Sequence, residues 1–165
     1  MNCLGKIQVA FLDNVHVIRL CGDIRLNICP ALETYLDEIL HQPELKNLVI
    51  DLSAVEGIDS TALGQLAKIS IHTQEHFHFM PSLAGPNANV SRLLDSMGFS
   101  KVFHIMKESY VNEADFEEWV AQAMTEEEAR AQVIAAHRVL MSLNDKNKVE
   151  FRELVNTLEA EHHDK

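Results

Sequence analysis

The sequence predicts an α/β fold: a mixed β-sheet opened by an antiparallel hairpin and continued by parallel crossovers, packed with helices and followed by an all-helical extension. Three observations carry that expectation. Apolar residues alternate on either side of Asp13-Asn14, as in a hairpin; short β-rich runs then alternate with stretches of helical spacing, as in parallel crossovers; and beyond Asn112 the β patterning stops.

The elements follow in order. Ile7, Val9 and Phe11 alternate with polar or small residues, Asp13-Asn14 offers the turn, and Val15 to Cys21 is the returning strand, with Gly22-Asp23 expected to break it. Beyond Pro30, the spacing of Leu32, Tyr35, Leu36, Ile39 and Leu40 predicts the first helix. Leu48-Val49-Ile50 is a continuous apolar run, expected of a strand covered on both faces and central in its sheet. A second helix follows with Leu63, Leu66, Ala67 and Ile71 inward, capped by Asp59 or Ser60. Phe77 to Leu83 reads as a strand that Pro81 confines to an edge or a strand end. Val90, Leu93, Leu94 and Met97 predict a third helix with Gly98 as a left-handed cap and Phe99 as its hydrophobic contact, and Val102 to Ile105 a last short strand.

Three amphipathic helical segments are expected after that: one on Phe116, Trp119, Val120 and Ala123; one on Ala129, Val133, Ala136 and Leu140; and one on Phe151, Leu154, Val155 and Leu158. Thr125 with Glu128 forms a capping box for the second, Asn147 with Glu150 a looser variant for the third, and Asn144-Asp145-Lys146 a turn between them. The division is thus residues 1–111 as the sheet domain and 112–165 as a helical extension, an amphipathic helix plus a helical hairpin.

Composition limits the partners. The net charge of −11 argues against nucleic acid, whose phosphates need a basic footprint. The charge is uneven, with 8 basic and 12 acidic residues in 1–111 against 6 and 13 in 112–165, so the extension is the more acidic part. Cys3, Cys21 and Cys29 have no CxxC spacing and suggest neither a disulfide framework nor a zinc site. Gln8, Asp13 and His16 interrupt the early hydrophobics, leaving no signal-peptide run, and no stretch approaches a membrane span. A soluble, cytoplasmic protein without cofactor, metal or membrane contact is expected.

The segment Val49-Ile50-Asp51-Leu52-Ser53-Ala54-Val55-Glu56-Gly57-Ile58-Asp59-Ser60-Thr61-Ala62-Leu63-Gly64 joins the buried strand to the second helix. A strand ending in Asp-Leu, a short loop, then Ile-Asp-Ser-Thr-x-Leu-Gly resembles the signature of the STAS domain, the family of bacterial anti-sigma factor antagonists. The likeness runs from about Gly5 to Tyr110, including Leu20-Cys21-Gly22-Asp23 and Ser96-Met97-Gly98-Phe99, and leaves out the tail. It implies a STAS-like mixed sheet and a substrate of phosphorylation rather than a catalyst.

In phosphorylated members of that family the hydroxyl after the signature aspartate is the acceptor, which maps onto Ser60, with Thr61 as the alternative and Asp59 beside it. Asp59, Ser60, Thr61, Glu56, Asp23 and Arg25 are the expected partner-binding residues. Arg25 stands where phosphorylated relatives commonly have aspartate, and Ala62 where glycine is usual. The resemblance implies that the unmodified protein captures an anti-sigma factor or a serine kinase, possession of a phosphate releases it, and a PP2C-type phosphatase resets the cycle; a flagellar anti-sigma factor is one conceivable partner. The alternative is a constitutive STAS scaffold or accessory subunit of a larger complex without a phosphoswitch.

Ser60 before a helix is, in isolation, an ordinary N-cap; the surrounding signature makes it a phosphoacceptor expected to lie open to solvent. His72, His76 and His78 lack a carboxylate or cysteine to complete a metal set, and His162-His163 read as solvated. No phosphate-binding glycine loop occurs, and Glu117-Glu118 and Glu126-Glu127-Glu128 read as solvated helix starts rather than catalytic pairs. For the tail two readings stand side by side: a hairpin that packs on the sheet domain, or acidic helices that bind a basic groove on a partner or gate the Ser60 surface.

Overall fold

Strands β1 (Lys6–Leu12) and β2 (Val15–Ile24) form the hairpin, paired antiparallel from Lys6↔Cys21 to Leu12↔Val15. The computed structural model describes residues 5–12, 14–42, 45–109, 116–120 and 123–163. Cys3, Asp13 and the 111/112 boundary, together with the side chains of His162 and His163, therefore lie outside the described residues. Asn14 completes the turn with a positive φ of 66°, which asparagine tolerates better than most residues. The break expected at Gly22-Asp23 does not occur. β2 continues to Ile24 beside β3 and absorbs the irregularity as register shifts between Arg19 and Cys21 and between Gly22 and Asp23.

A 3₁₀ turn at Leu26–Ile28 leads into α1 (Cys29–Leu40), where Pro30 occupies the first turn, the position at which a missing N–H is harmless. Strand β3 (Leu48–Ile58) is central, and α2 (Ser60–Phe77) follows after one residue. Because α2 runs to Phe77 and ends on His78 at φ 58°, the strand expected over Phe77 to Leu83 shrinks to β4 (Ser82–Ala84), which begins directly after Pro81. Helix α3 (Ala88–Met97) ends as expected on Gly98 at φ 82°, a conformation that favours glycine, with Phe99 fully buried behind it. Phe99–Lys101 is a second 3₁₀ turn, so β5 covers His104–Met106 rather than starting at Val102.

Among the described residues six strands form one sheet in the order β5-β4-β3-β2-β1-β6, parallel from β2 to β5 and antiparallel at the hairpin. β6 (Glu117–Trp119) replaces the helix expected around Phe116 to Ala123. Without it β1 would present a row of unpaired backbone groups; the strand pairs Ile7↔Trp119 and Val9↔Glu117, and Trp119 meets the Tyr35 ring edge-on at 5.3 Å. The sheet therefore extends beyond residue 111.

The helices contribute to one core on one face, with Ile18, Leu20, Leu48, Ile50 and Leu52 from the sheet. A smaller cluster, Val15, Val17, Val49 and Ala84, lies on the opposite face. Helices α4 (Glu126–Leu143) and α5 (Asp145–His163) belong to this packing: Leu140, Leu143 and Phe151 are part of the main core. Thr125 caps α4 by accepting from Glu128 N at 3.1 Å, as its spacing predicts. Helix α5 is capped instead by Asn144, whose Oδ1 accepts from Asn147 N at 2.8 Å. Asn147 is thereby drawn inside the helix, fully buried, and its amide donates to Met97 O at 3.0 Å and Leu140 O at 2.8 Å. That side chain joins α3, α4 and α5.

Candidate functional site

The parallel strands β2 and β3 end together, in register Asp23↔Gly57 and Ile24↔Ile58, and α2 starts there. Asp59 fixes the transition with all its polar groups. Its backbone N–H donates to Ile24 O at 3.0 Å, Oδ1 accepts from Ala62 N at 2.8 Å, and Oδ2 accepts from Leu26 N at 3.3 Å. The carboxylate thus caps α2 and pins the loop that leads to α1, a structural task that leaves it beside Ser60 without bonding to it.

Ser60 and Thr61 are neighbours with opposite surroundings. Ser60 is partly buried, whereas Thr61 faces inward and is 7% exposed. Glu56 is exposed on β3, and Asp23 next to it pairs with Arg25 at 2.6 Å. The Asp23 hydrogen bond and charge, with a smaller contribution from Asp59, raise the Arg25 pKa. The strand ends therefore gather Asp23, Arg25, Glu56, Asp59 and Ser60 on one edge of the molecule, and only Thr61 turns away into the core. Beneath them the Cys29 thiol is pushed up to about 12, mainly by burial and further by Asp59 and Glu33, so it holds its proton at neutral pH.

The Ser60 hydroxyl does not stand open to solvent as expected. Its Oγ lies 2.7 Å from Nε2 of His137 on α4. His137 is 2% exposed, packs edge-on against Phe151 at 4.9 Å, and holds Nδ1 2.7 Å from Val133 O. A carbonyl can only accept, so in the neutral ring Nδ1 carries the proton and Nε2 is left as the acceptor for the serine O–H. The contact is possible because α2 and α4 approach closely at Gly64. A Cβ built there would lie 2.7 Å from Ala136 Cα and nearer still to its carbonyl oxygen. Gln132 adds a bond to Glu33 of α1 at 2.7 Å.

The sequence does not single out His137 or Gln132 as parts of this site, and Gly64 enters only as the last residue of the signature, without its contact to α4. A signal existed for two of them: a glycine in a helix interior costs roughly 0.5–1 kcal/mol and suggests a close approach, and His137 lies on the Val133/Leu140 stripe of α4. Elsewhere, the rings of His72 and His76 meet at 4.2 Å with a tilt of 37°, and among the described residues no group of three or more His, Cys, Asp or Glu could hold a metal ion. No helix of the described residues is long and apolar enough to cross a membrane.

Comparison with known proteins agrees with this architecture. The family model of the STAS domain matches residues 6–114. No curated protein matches the chain. Among solved structures, a proposed anti-sigma factor antagonist from Thermotoga maritima superposes with a TM-score of 0.52 at 23% identity, over 61% of this chain and 85% of that one. At that identity the likeness speaks for the fold.

Proposed function

This chain belongs to the STAS domain family, and from that premise we propose that it is an anti-sigma factor antagonist that works as a phosphorylation-controlled protein-binding switch in the cytoplasm. Unmodified, it captures an anti-sigma factor or a serine kinase through the edge formed by Asp23, Arg25, Glu56, Asp59 and Ser60; phosphorylated on Ser60, it lets go; a PP2C-type phosphatase restores it. The single observation that carries the reading is that Ser60, in the first turn of α2, keeps part of its surface exposed, while Thr61 is buried. Of the two candidate acceptors, only Ser60 is within reach of a kinase after a local opening.

The physical consequence of the phosphate is local. It adds about −1.5 to −2 charges at a helix N-terminus, whose free N–H groups favour an anion, so the sheet domain keeps its fold. What changes is the cost of desolvating this edge. A dianion beside Asp59 and Glu56 opposes docking of a partner shaped for a neutral hydroxyl. The test is the affinity of the captured partner for Ser60→Ala and Ser60→Asp, the partner being identified by mass spectrometry of proteins retained from cells. Tight binding by the first and loss by the second support the reading; equal affinities end it.

The His137 contact favours a second reading, in which Ser60 is a permanent joint between domain and tail and the protein is a constitutive scaffold or an accessory subunit of a larger complex. Protein isolated from cells that never carries phosphate on Ser60 would favour it.

A further inference from the structure

The hydroxyl that the switch needs is already engaged inside the molecule. Two contacts hold the middle of α4 against the start of α2, the Ser60 to His137 bond and the Gly64 to Ala136 approach, and the Gln132 to Glu33 bond ties the same stretch to α1. The polarity of the first decides what phosphorylation does to it. With Nδ1–H committed to Val133 O, the Nε2 lone pair accepts from Ser60, and Ser60 is the donor. A phosphoserine has lost that proton. It would turn an ester oxygen and three further acceptor oxygens toward an acceptor nitrogen that is 2% exposed.

Space acts in the same direction. Helices that touch at backbone distance at Gly64, one turn beyond Ser60, crowd the neighbourhood in which a tetrahedral phosphoryl group would be added.

We propose that α4 is an intramolecular occupant of the Ser60 face, held there while Ser60 is a hydrogen-bond donor, and that phosphorylation expels it from the start of α2. The inference deepens the phosphoswitch reading and rests on it. The tail and an external partner then compete for one unmodified surface, and the partner binds only the fraction of molecules in which α4 has lifted. The kinase faces the same barrier. When it transfers the γ-phosphoryl group of ATP, the bond between the γ-phosphorus and the bridging oxygen breaks, the Oγ–P bond forms, ADP leaves, and the hydroxyl proton passes to the kinase's base. The product cannot re-form the contact with His137. Phosphorylation would thus uncover the α4 face bearing Ala136 and His137, both 2% exposed in the docked state.

The test uses the full chain with phosphoserine installed at position 60 during translation, compared with the unmodified chain by amide hydrogen exchange read by mass spectrometry. Release of α4 is expected to accelerate exchange in peptides covering Gln132 to His137 roughly tenfold or more, while β3 keeps its protection. Unchanged protection of α4 overturns the proposal, and so does increased protection, which would mean that a protonated His137 clamps the phosphate. Should the phosphorylated chain also lose protection in β3, Ser60→Ala supplies the second measurement, because it removes the donor and nothing else. Exchange in α4 about fivefold faster is expected, the effect of one net hydrogen bond, and no change overturns the proposal. Failure of the underlying reading is distinguishable, since it is read from the absence of phosphate on Ser60 in cells, whereas these arms do not depend on any cellular kinase.

Discussion

Two stretches of α4 are held by different means. Its last turn is anchored as a core helix is: Leu140 is fully buried, Leu143 joins the same cluster, Lys101 Nζ reaches Leu143 O at 3.4 Å, and Asn147 ties the turn to Met97. Its middle, from Gln132 to His137, adds directional contacts to apolar ones: the Ser60 to His137 bond, the Gln132 to Glu33 bond and a backbone approach at Gly64, beside the buried Ala136 and the edge-on contact of His137 with Phe151. Apolar burial is non-directional and insensitive to a single charge, whereas a hydrogen bond with fixed donor and acceptor roles is lost when the donor is esterified. One helix can therefore be fixed at its C-terminal end and conditional in its middle.

The largest effect expected from breaking this arrangement comes from the anchored last turn. Leu140→Ala should cost about 2–5 kcal/mol of unfolding free energy in a urea titration, with the whole chain destabilised, because it opens a cavity in the shared core. Asn147→Ala removes two donors and leaves two buried carbonyls with one partner fewer. A loss of about 2 kcal/mol is expected, again global.

In the conditional middle of α4 the effects should be smaller and local. Gly64→Ala gains helix propensity but forces a methyl into the backbone of Ala136, which cannot move aside as a side-chain tip can. The clash outweighs the gain, for a net loss of about 1–2 kcal/mol seen as faster amide exchange in α4 with β3 unaffected. Gln132→Ala, which removes one partly buried side-chain bond to Glu33, should cost about 0.5–1 kcal/mol and raise exchange only in the first turns of α4. If Gly64→Ala instead lowered global stability as much as Leu140→Ala, the distinction between the middle and the last turn of α4 would be wrong.

The sheet domain was legible because its signals are local and redundant. Leu48-Val49-Ile50 before Asp51 marked the central strand, and Gly98-Phe99 marked the end of α3 in both conformation and burial. Where the sequence misled, a partner distant in the chain decided the outcome. Phe116, Trp119 and Val120 fit a helical spacing, but the open edge of β1 recruits Glu117–Trp119 as a strand. Asn147 and Glu150 have the spacing of a cap, yet Asn144 takes that role because the buried carbonyls of Met97 and Leu140 claim the Asn147 amide.

The site divided in the same way. The signature brought Asp59 and Ser60 to a helix start, where local chemistry is sufficient to place them. It could not indicate that Thr61 is buried while Ser60 is only partly so, nor that a histidine 77 residues further on closes over the hydroxyl. The periodicity of α4 identified an inward stripe but not the surface against which it packs.

The account depends most on Ser60 being the residue that is modified. Phosphopeptide mapping of the protein isolated from its own cells, across the fragment that contains Ser53, Ser60 and Thr61, tests this directly. Phosphate is expected on Ser60, absent from Thr61, and lost from the fragment in Ser60→Ala. Phosphate on another residue of the fragment with Ser60 unmodified, or none under any growth condition, would contradict it.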